Sequence, residues 1–109
     1  MKNYKVHLVI DAEYDLFEIY KFIATNDSKN IAIKIINNIE NVCFSLKDYP
    51  DRGHLVPELE RIGIYNYKEI HCKPYKIIYQ IINHSVFIHC ILDGRRNIQQ
   101  LLFERLCRH

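Results

Sequence analysis

Glycine is scarce in this sequence. It occurs three times, and none of the three lies in a phosphate-binding loop. The GxSxG nucleophile motif and the HExxH zinc motif are also missing. These absences argue against nucleotide-cofactor enzymes and serine-type hydrolases, and we expect the protein to use no cofactor.

Cysteine is present, but without the spacing that metal sites use. The four cysteines lie far apart, with no CxxC pair: Cys43, Cys72, Cys90 and Cys107. The first three lie in apolar runs, where a reduced thiol packs as a small hydrophobic group. The sequence therefore predicts free cysteines and no metal site.

Long apolar runs are missing as well. A polar or charged residue interrupts each stretch well before the roughly 18 residues that a membrane span needs. Residues 1–5 lack the apolar segment of a secretory signal. With 109 residues, 49% hydrophobic and 26% charged, the chain suits one folded unit. We expect a single cytoplasmic domain, residues 1–109, without membrane contact.

Charge is distributed unevenly along the chain. Residues 1–60 contain 7 Lys and Arg against 10 Asp and Glu, a net charge of −3. Residues 61–109 contain 8 against 3, a net charge of +5. A basic C-terminal half suits an anionic partner, either a nucleic acid or an acidic peptide. Solubility alone would explain the same distribution, so charge leaves the partner open.

Hydrophobic periodicity predicts a strand followed by two helices in the first half. Residues 4–10 alternate as a short strand does. Apolar residues then recur at helical spacing after Asp11, which we expect to cap the first helix, and again after Ser28. The second helix should end before Pro50. Because the link between the helices is short, they should form an antiparallel hairpin.

The second half predicts three strands and a short helix. A turn at residues 50–53 leads into a stretch without a strong period up to residue 65, which we interpret as a long surface connection. Residues 67–72, 75–82 and 86–92 then repeat with a period of two, and a helix should start near Asn97.

The predicted order is β-α-α-β-β-β-α. This order indicates an α+β fold in which the helical hairpin packs on a mainly antiparallel four-stranded sheet. Apolar runs in the central strands suggest that both faces of the sheet are covered. We expect the core to include Leu16, Ile19, Ile23, Ile35, Ile39, Leu46, Ile77, Tyr79, Ile88 and Leu92.

The best candidates for a binding site are cations of the C-terminal half. They lie on two neighbouring strands, at the turn between these strands and directly after the last strand: Lys68, Lys73, Lys76, Arg95 and Arg96. If their side chains converge on one concave side of the sheet, they can bind phosphates. Solvated lysines that protect sheet edges from pairing are the alternative.

Other ionisable residues favour structural roles. The carboxylates at residues 11–18 lie at the start of the first helix, where the helix dipole stabilises anions. His71 and His89 lie inside strand-like runs, where a hydrogen-bonded histidine is more common than a catalytic acid or base.

Six short segments, in this order and spacing, resemble the RelE/ParE superfamily of toxins from type II toxin–antitoxin modules. They are DLFEIYKFIA at 15–24, YPDRG at 49–53, VPEL at 56–59, YKE at 67–69, PYKIIY at 74–79 and GRR at 94–96. The resemblance covers nearly the whole chain and implies the fold predicted above. It implies a small bacterial toxin that a cognate antitoxin neutralises in a hetero-oligomer. Exposed apolar residues of the hairpin, with the basic half, would suit an acidic amphipathic helix of that partner.

The resemblance favours the ParE branch of the superfamily. Residues 15–20, residues 56–59 and the Arg95-Arg96 pair look most like this branch. Its members poison DNA gyrase without a chemical step of their own. Membership of this branch would imply a gyrase inhibitor that is not an enzyme.

A RelE-like ribonuclease is the alternative that the same resemblance implies. Such toxins cut mRNA on the ribosome with basic residues, and Lys68, Lys76 and Arg96 match basic positions of their pattern. Ile70 stands where some of these nucleases carry a second lysine, and Leu102 lies near the place of a catalytic tyrosine. Whether the protein is an enzyme therefore depends on its branch. A non-toxic binding domain or decayed toxin is a third possibility.

Overall fold

The computed structural model describes residues 3–107, without the side chain of Cys107. Strands in this part of the chain are β1 (Lys5–Leu8), β2 (His54–Leu55), β3 (Lys68–Cys72), β4 (Tyr75–Ile82) and β5 (Ser85–Asp93). Its α-helices are α1 (Ile10–Asn26), α2 (Lys29–Phe44), α3 (Pro57–Glu60) and α4 (Ile98–Leu102). The sheet order is β1-β5-β4-β3-β2, with β1 parallel to β5 and the other pairs antiparallel. The predicted α+β class and mainly antiparallel sheet are confirmed.

Helices α1 and α2 form the predicted hairpin. Ser28 caps α2, since its Oγ accepts a hydrogen bond from the Ile31 amide at 3.1 Å. The prediction that Asp11 caps α1 is wrong, because α1 begins at Ile10 and Asp11 lies in its first turn. Val9, at the cap position, donates its amide hydrogen to Ile88 O at 3.1 Å. The hydrogen bonding between β1 and β5 therefore continues up to the residue directly before α1. Within residues 3–107, no helix has the length and hydropathy that crossing a bilayer requires.

The sheet has five strands, not the predicted four. The additional strand, β2, contains two residues and therefore shows no period of two. It lies with α3 in the segment that we interpreted as a surface connection. The Tyr79 hydroxyl holds this segment, since it donates to Pro50 O at 2.6 Å and accepts from the Gly53 amide at 3.0 Å. Gly53 is required for this close approach, because a Cβ there would lie 2.5 Å from Glu69 O.

Apolar side chains cover both faces of the sheet, as the central strands predicted. The larger cluster lies between the sheet and the hairpin and includes Ala12, Leu16, Ile39, Cys43, Leu46, Ile77, Tyr79 and Ile88. The smaller cluster joins the opposite face to α3 and α4 and includes Val56, Leu59, Ile78, Cys90, Leu92 and Ile98. Among the predicted core residues, Ile19 and Ile35 are half-buried and Leu92 belongs to the smaller cluster; the others are buried as expected.

The described cysteines are free thiols. Cys43 and Cys90 are fully buried, and burial raises the pKa of each thiol to about 12. Cys72 is half-buried, and the side chain of Cys107 lies outside the described residues. The expectation that these thiols pack as small hydrophobic groups is confirmed for Cys43 and Cys90.

Candidate functional site

The structure separates the five predicted cations. Lys73, Lys76 and the arginine pair lie near one end of the sheet, where the Gly94 amide donates to Pro74 O at 2.8 Å. Lys68 lies farther along β3, opposite Tyr79, whereas Lys76 lies opposite His71. Since side chains alternate between faces along a strand, this register directs Lys68 and Lys76 to opposite faces of the sheet. The expected convergence of these two lysines is therefore wrong.

Lys76 lies between two carboxylates on the face away from the hairpin. Its Nζ is 3.6 Å from Glu58 Oε2 of α3 and 3.7 Å from Glu69 Oε1 of β3. Its side chain is only 20% exposed. Because both carboxylates already compensate its charge, Lys76 is poorly suited to attract an external phosphate.

Arg95 and Arg96 extend from the loop that follows β5. The Arg95 Nε and Nη2 atoms donate to the two carboxylate oxygens of Asp93 at 2.9 and 2.7 Å. These hydrogen bonds from Arg95 lower the pKa of Asp93. They also orient a side chain that is 71% exposed. Arg96 lines a depression beside Phe22 and Tyr75. An oriented arginine next to a second arginine and aromatic rings is suited to binding an anionic partner.

A second group of polar side chains lies on the same face as Lys76, and sequence analysis missed it. His54 of β2 lies opposite Glu69 of β3, and His71 follows two residues later on the same face of β3. The Nε2 atoms of His71 and His54 are 2.8 and 3.6 Å from Glu69 Oε2. Only the spacing of Glu69 and His71 could have been read from the sequence, because β2 was not predicted. His71 is thus hydrogen-bonded on the sheet, as its position in a strand suggested.

Asp15 connects α1 to the sheet and to the π-helical turn Phe103–Cys107 that follows α4. Its Oδ2 accepts from the Ile91 amide and its Oδ1 accepts from Arg105 Nη1, each at 2.9 Å. Arg105 Nη2 in turn donates to His89 O at 2.9 Å. Burial raises the pKa of Asp15, although both hydrogen bonds act in the opposite direction. These contacts give Asp15 the structural role expected for the acidic start of α1.

We expect His89 to make the protein less stable in acid. His89 is half-buried, and its Nε2 donates to Gln80 Oε1 at 3.1 Å. Burial, followed by the charge of Arg105, lowers its pKa below the usual 6.5. The unfolded chain therefore binds more protons at pH values between the two pKa values. The contribution of neutral His89 to stability is complete above about pH 6.5 and is lost as the pH falls through the folded pKa.

Urea unfolding of wild type and His89→Gln between about pH 5 and pH 8 tests this expectation. The free energy of unfolding of wild type, relative to the variant, should decrease towards acid pH. His84→Gln, which replaces an exposed histidine, is the control for the loss of an imidazole at another position. A difference that stays constant over this range would contradict the expectation.

Comparison with known proteins identifies relatives of the chain. Residues 9–98 match the family model of the ParE toxin of the type II toxin–antitoxin system parDE. Toxin ParE3 of Caulobacter vibrioides is 30% identical in an alignment of 88 residues that covers 77% of this chain and 80% of that protein.

Two solved structures share the fold. A chromosomal ParDE TA system from P. aeruginosa matches with a TM-score of 0.69 and 16% identity, over 81% of this chain and 92% of that chain. The toxin–antitoxin complex RelBE2 from Mycobacterium tuberculosis matches with a TM-score of 0.64 and 20% identity, over 85% and 93%. Since ParE-type and RelE-type structures both match, the fold does not distinguish between the two targets.

Proposed function

The chain belongs to the ParE toxin family of type II toxin–antitoxin systems, and we propose that it arrests growth by binding DNA gyrase. The toxin carries out no chemical step of its own, and a cognate antitoxin neutralises it. The separation of the cations carries this proposal. Lys68 and Lys76 lie on opposite faces of the sheet, and Glu58 and Glu69 compensate Lys76. Cleavage of RNA needs preorganised positive charge at one reacting phosphate. This arrangement supports a binding toxin over a ribonuclease.

The exposed end of the sheet is the proposed contact with the gyrase–DNA complex. Arg95 and Arg96 are exposed there, and Lys73 lies in the adjacent turn between β3 and β4. Asp93 holds the Arg95 guanidinium in one orientation. Cations in such a position can contact DNA phosphates or acidic groups on the enzyme.

The hairpin supplies the proposed surface for the antitoxin. An open groove of about 410 Å³ lies between β1, α1 and α2, and its apolar lining includes the half-exposed Phe17 and Phe44. The charged residues of its lining are both acidic, Glu13 and Glu40. The acidic helix expected from the overall charge therefore fits this groove poorly. We expect an apolar antitoxin segment flanked by Lys or Arg.

A paired assay tests the target. With gyrase and supercoiled plasmid, the protein should increase the amount of cleaved DNA, and with translating ribosomes it should leave mRNA intact. Arg95→Ala should lower DNA cleavage several-fold, because it removes the oriented guanidinium. Arg61→Ala removes an exposed arginine at the end of α3 and is the matched control.

Cleavage of mRNA alone would contradict the proposal and indicate a RelE-like ribonuclease. In that case Arg96→Ala, and only one of Lys68→Ala and Lys76→Ala because these lysines lie on opposite faces, should slow cleavage about 10²–10³-fold. Expression in growing cells tests toxicity separately. We expect growth arrest, with rescue by the adjacent small open reading frame. Normal growth without this partner would indicate a non-toxic binding domain.

A further inference from the structure

We propose that His54, Glu69 and His71 form a binding site for one zinc ion between β2 and β3. Each side chain offers one ligand atom, and the three atoms lie within 4.8 Å of one another. Imidazole nitrogen and carboxylate oxygen are ordinary zinc ligands, with bonds of about 2.0–2.2 Å. The site would therefore use two histidines and one glutamate, and no cysteine.

Two of the three distances between the ligand atoms bracket the value expected around a tetrahedral ion. Ligand atoms about 2.1 Å from such an ion lie about 3.4 Å apart. The Nε2 atoms of His71 and His54 lie 2.8 and 3.6 Å from Glu69 Oε2, on either side of this value. Both imidazoles are exposed, so their rings have room to turn towards the ion. Their exposure also gives the ion an entry path and leaves the fourth position open to water. His71 Nε2, which donates to Glu69 Oε2, gives up its proton to Nδ1 or to solvent when it binds the ion.

The ring of His54 is oriented as metal-binding histidines commonly are. Its Nδ1 lies 3.0 Å from Leu55 O, and because a carbonyl oxygen only accepts, Nδ1 must carry the hydrogen. In the neutral ring, Nε2 then carries a lone pair, and it lies 3.6 Å from Glu69 Oε2, which is also an acceptor. A cation between these two atoms can bond to both. Donation from the other ring nitrogen to a carbonyl oxygen is typical around zinc.

Glu69 is a buried carboxylate with one oxygen left without a hydrogen bond in the described part of the chain. Glu69 is 1% exposed, yet its Oε1 has no hydrogen-bond partner within residues 3–107. Lys76 Nζ lies 3.7 Å from this oxygen and is shared with Glu58. Two carboxylates and one ammonium leave a net negative charge here when the imidazoles are neutral. A divalent cation would compensate this negative charge beside the carboxylate of Glu69, whose burial without a partner is costly.

The backbone around the ligands is fixed without the ion. Gly53, directly before His54, donates its amide to the Tyr79 hydroxyl, and Tyr79 also holds Pro50. Glu69 and His71 belong to β3, which pairs with β4 over its whole length. Zinc would therefore join β2, a strand of two residues at the sheet edge, to a rigid neighbour.

Calorimetric titration of the full chain with zinc tests the site, after removal of metals with EDTA and in a buffer that does not chelate. We expect one ion per chain, and Co²⁺ in its place should show the visible absorption of a four-coordinate site. His54→Gln and His71→Gln should each weaken binding by more than the roughly 10–100-fold that loss of an outer-shell partner causes. His84→Gln, at an exposed histidine outside the site, should bind as wild type does.

Thermal unfolding gives a second measurement on the same proteins. Zinc should raise the unfolding temperature of wild type and His84→Gln, but not of the two ligand variants, whose folding circular dichroism can verify. Absence of zinc binding by the folded wild type would overturn the proposal. Equal binding by wild type, His54→Gln and His71→Gln would overturn it too, since the ion would then lie elsewhere. Neither measurement depends on whether gyrase is the target.

Discussion

Ile39→Ala should lower the free energy of unfolding by about 2–5 kcal/mol. Ile39 lies on α2, is 0% exposed and packs in the cluster between the hairpin and the sheet. Truncation removes apolar contacts and leaves a cavity that the helices and the sheet can fill only in part. Urea unfolding, followed by circular dichroism, measures the loss.

Ile33→Ala is the matched control on the same helix. Ile33 is 49% exposed, so its truncation should cost less than about 1 kcal/mol. Similar losses for the two variants would mean that α2 does not bury the face that carries Ile39.

Asp15→Ala should cost about 3 kcal/mol, the second large effect that we expect. The substitution removes the acceptor for the Ile91 amide and for Arg105 Nη1. Both partners are partly buried, and the Arg105 side chain is only 22% exposed. Without the carboxylate, a positive charge and an amide would lack compensation in a region poorly accessible to water. Equilibrium unfolding at neutral pH measures the effect.

Asp11→Ala is the control for Asp15→Ala. Asp11 is exposed in the first turn of α1, where its loss should cost about 0.3–1 kcal/mol through the helix dipole. A double-mutant cycle with Arg105→Ala should give a coupling of about 0.5–3 kcal/mol between Asp15 and Arg105. Independent effects of the two substitutions would contradict the contact.

Long periodic segments made most of the fold predictable. The alternation in residues 75–82 gave the bounds of β4, and apolar spacing identified both helices of the hairpin. β2 and α3 could not be predicted in this way, because they contain two and four residues. Contacts distant in sequence place β2, above all the bonds from the Tyr79 hydroxyl to Pro50 and Gly53.

The candidate site was predictable only in part. The sequence identified the cations but not the faces that they occupy. The turn at Lys73 and Pro74 sets the register of β3 and β4. Counting residues along both strands from this turn would have placed Lys68 and Lys76 on opposite faces of the sheet. Counting residues could not have predicted the pairing of His54 with Glu69, because that pairing depends on β2, which the sequence did not predict.

The parallel pairing of β1 with β5 makes the order of synthesis important. Lys5 pairs with Ser85, so β1 cannot complete its hydrogen bonds until the ribosome has made β5. Nascent chains grow by about 5–20 residues per second. For several seconds, α1 and α2 are therefore present while the apolar face that later packs on the sheet is still exposed to solvent. Closing so long a loop also costs entropy before the strand contacts compensate it. The fold of this toxin therefore becomes complete only after β5 has been synthesised.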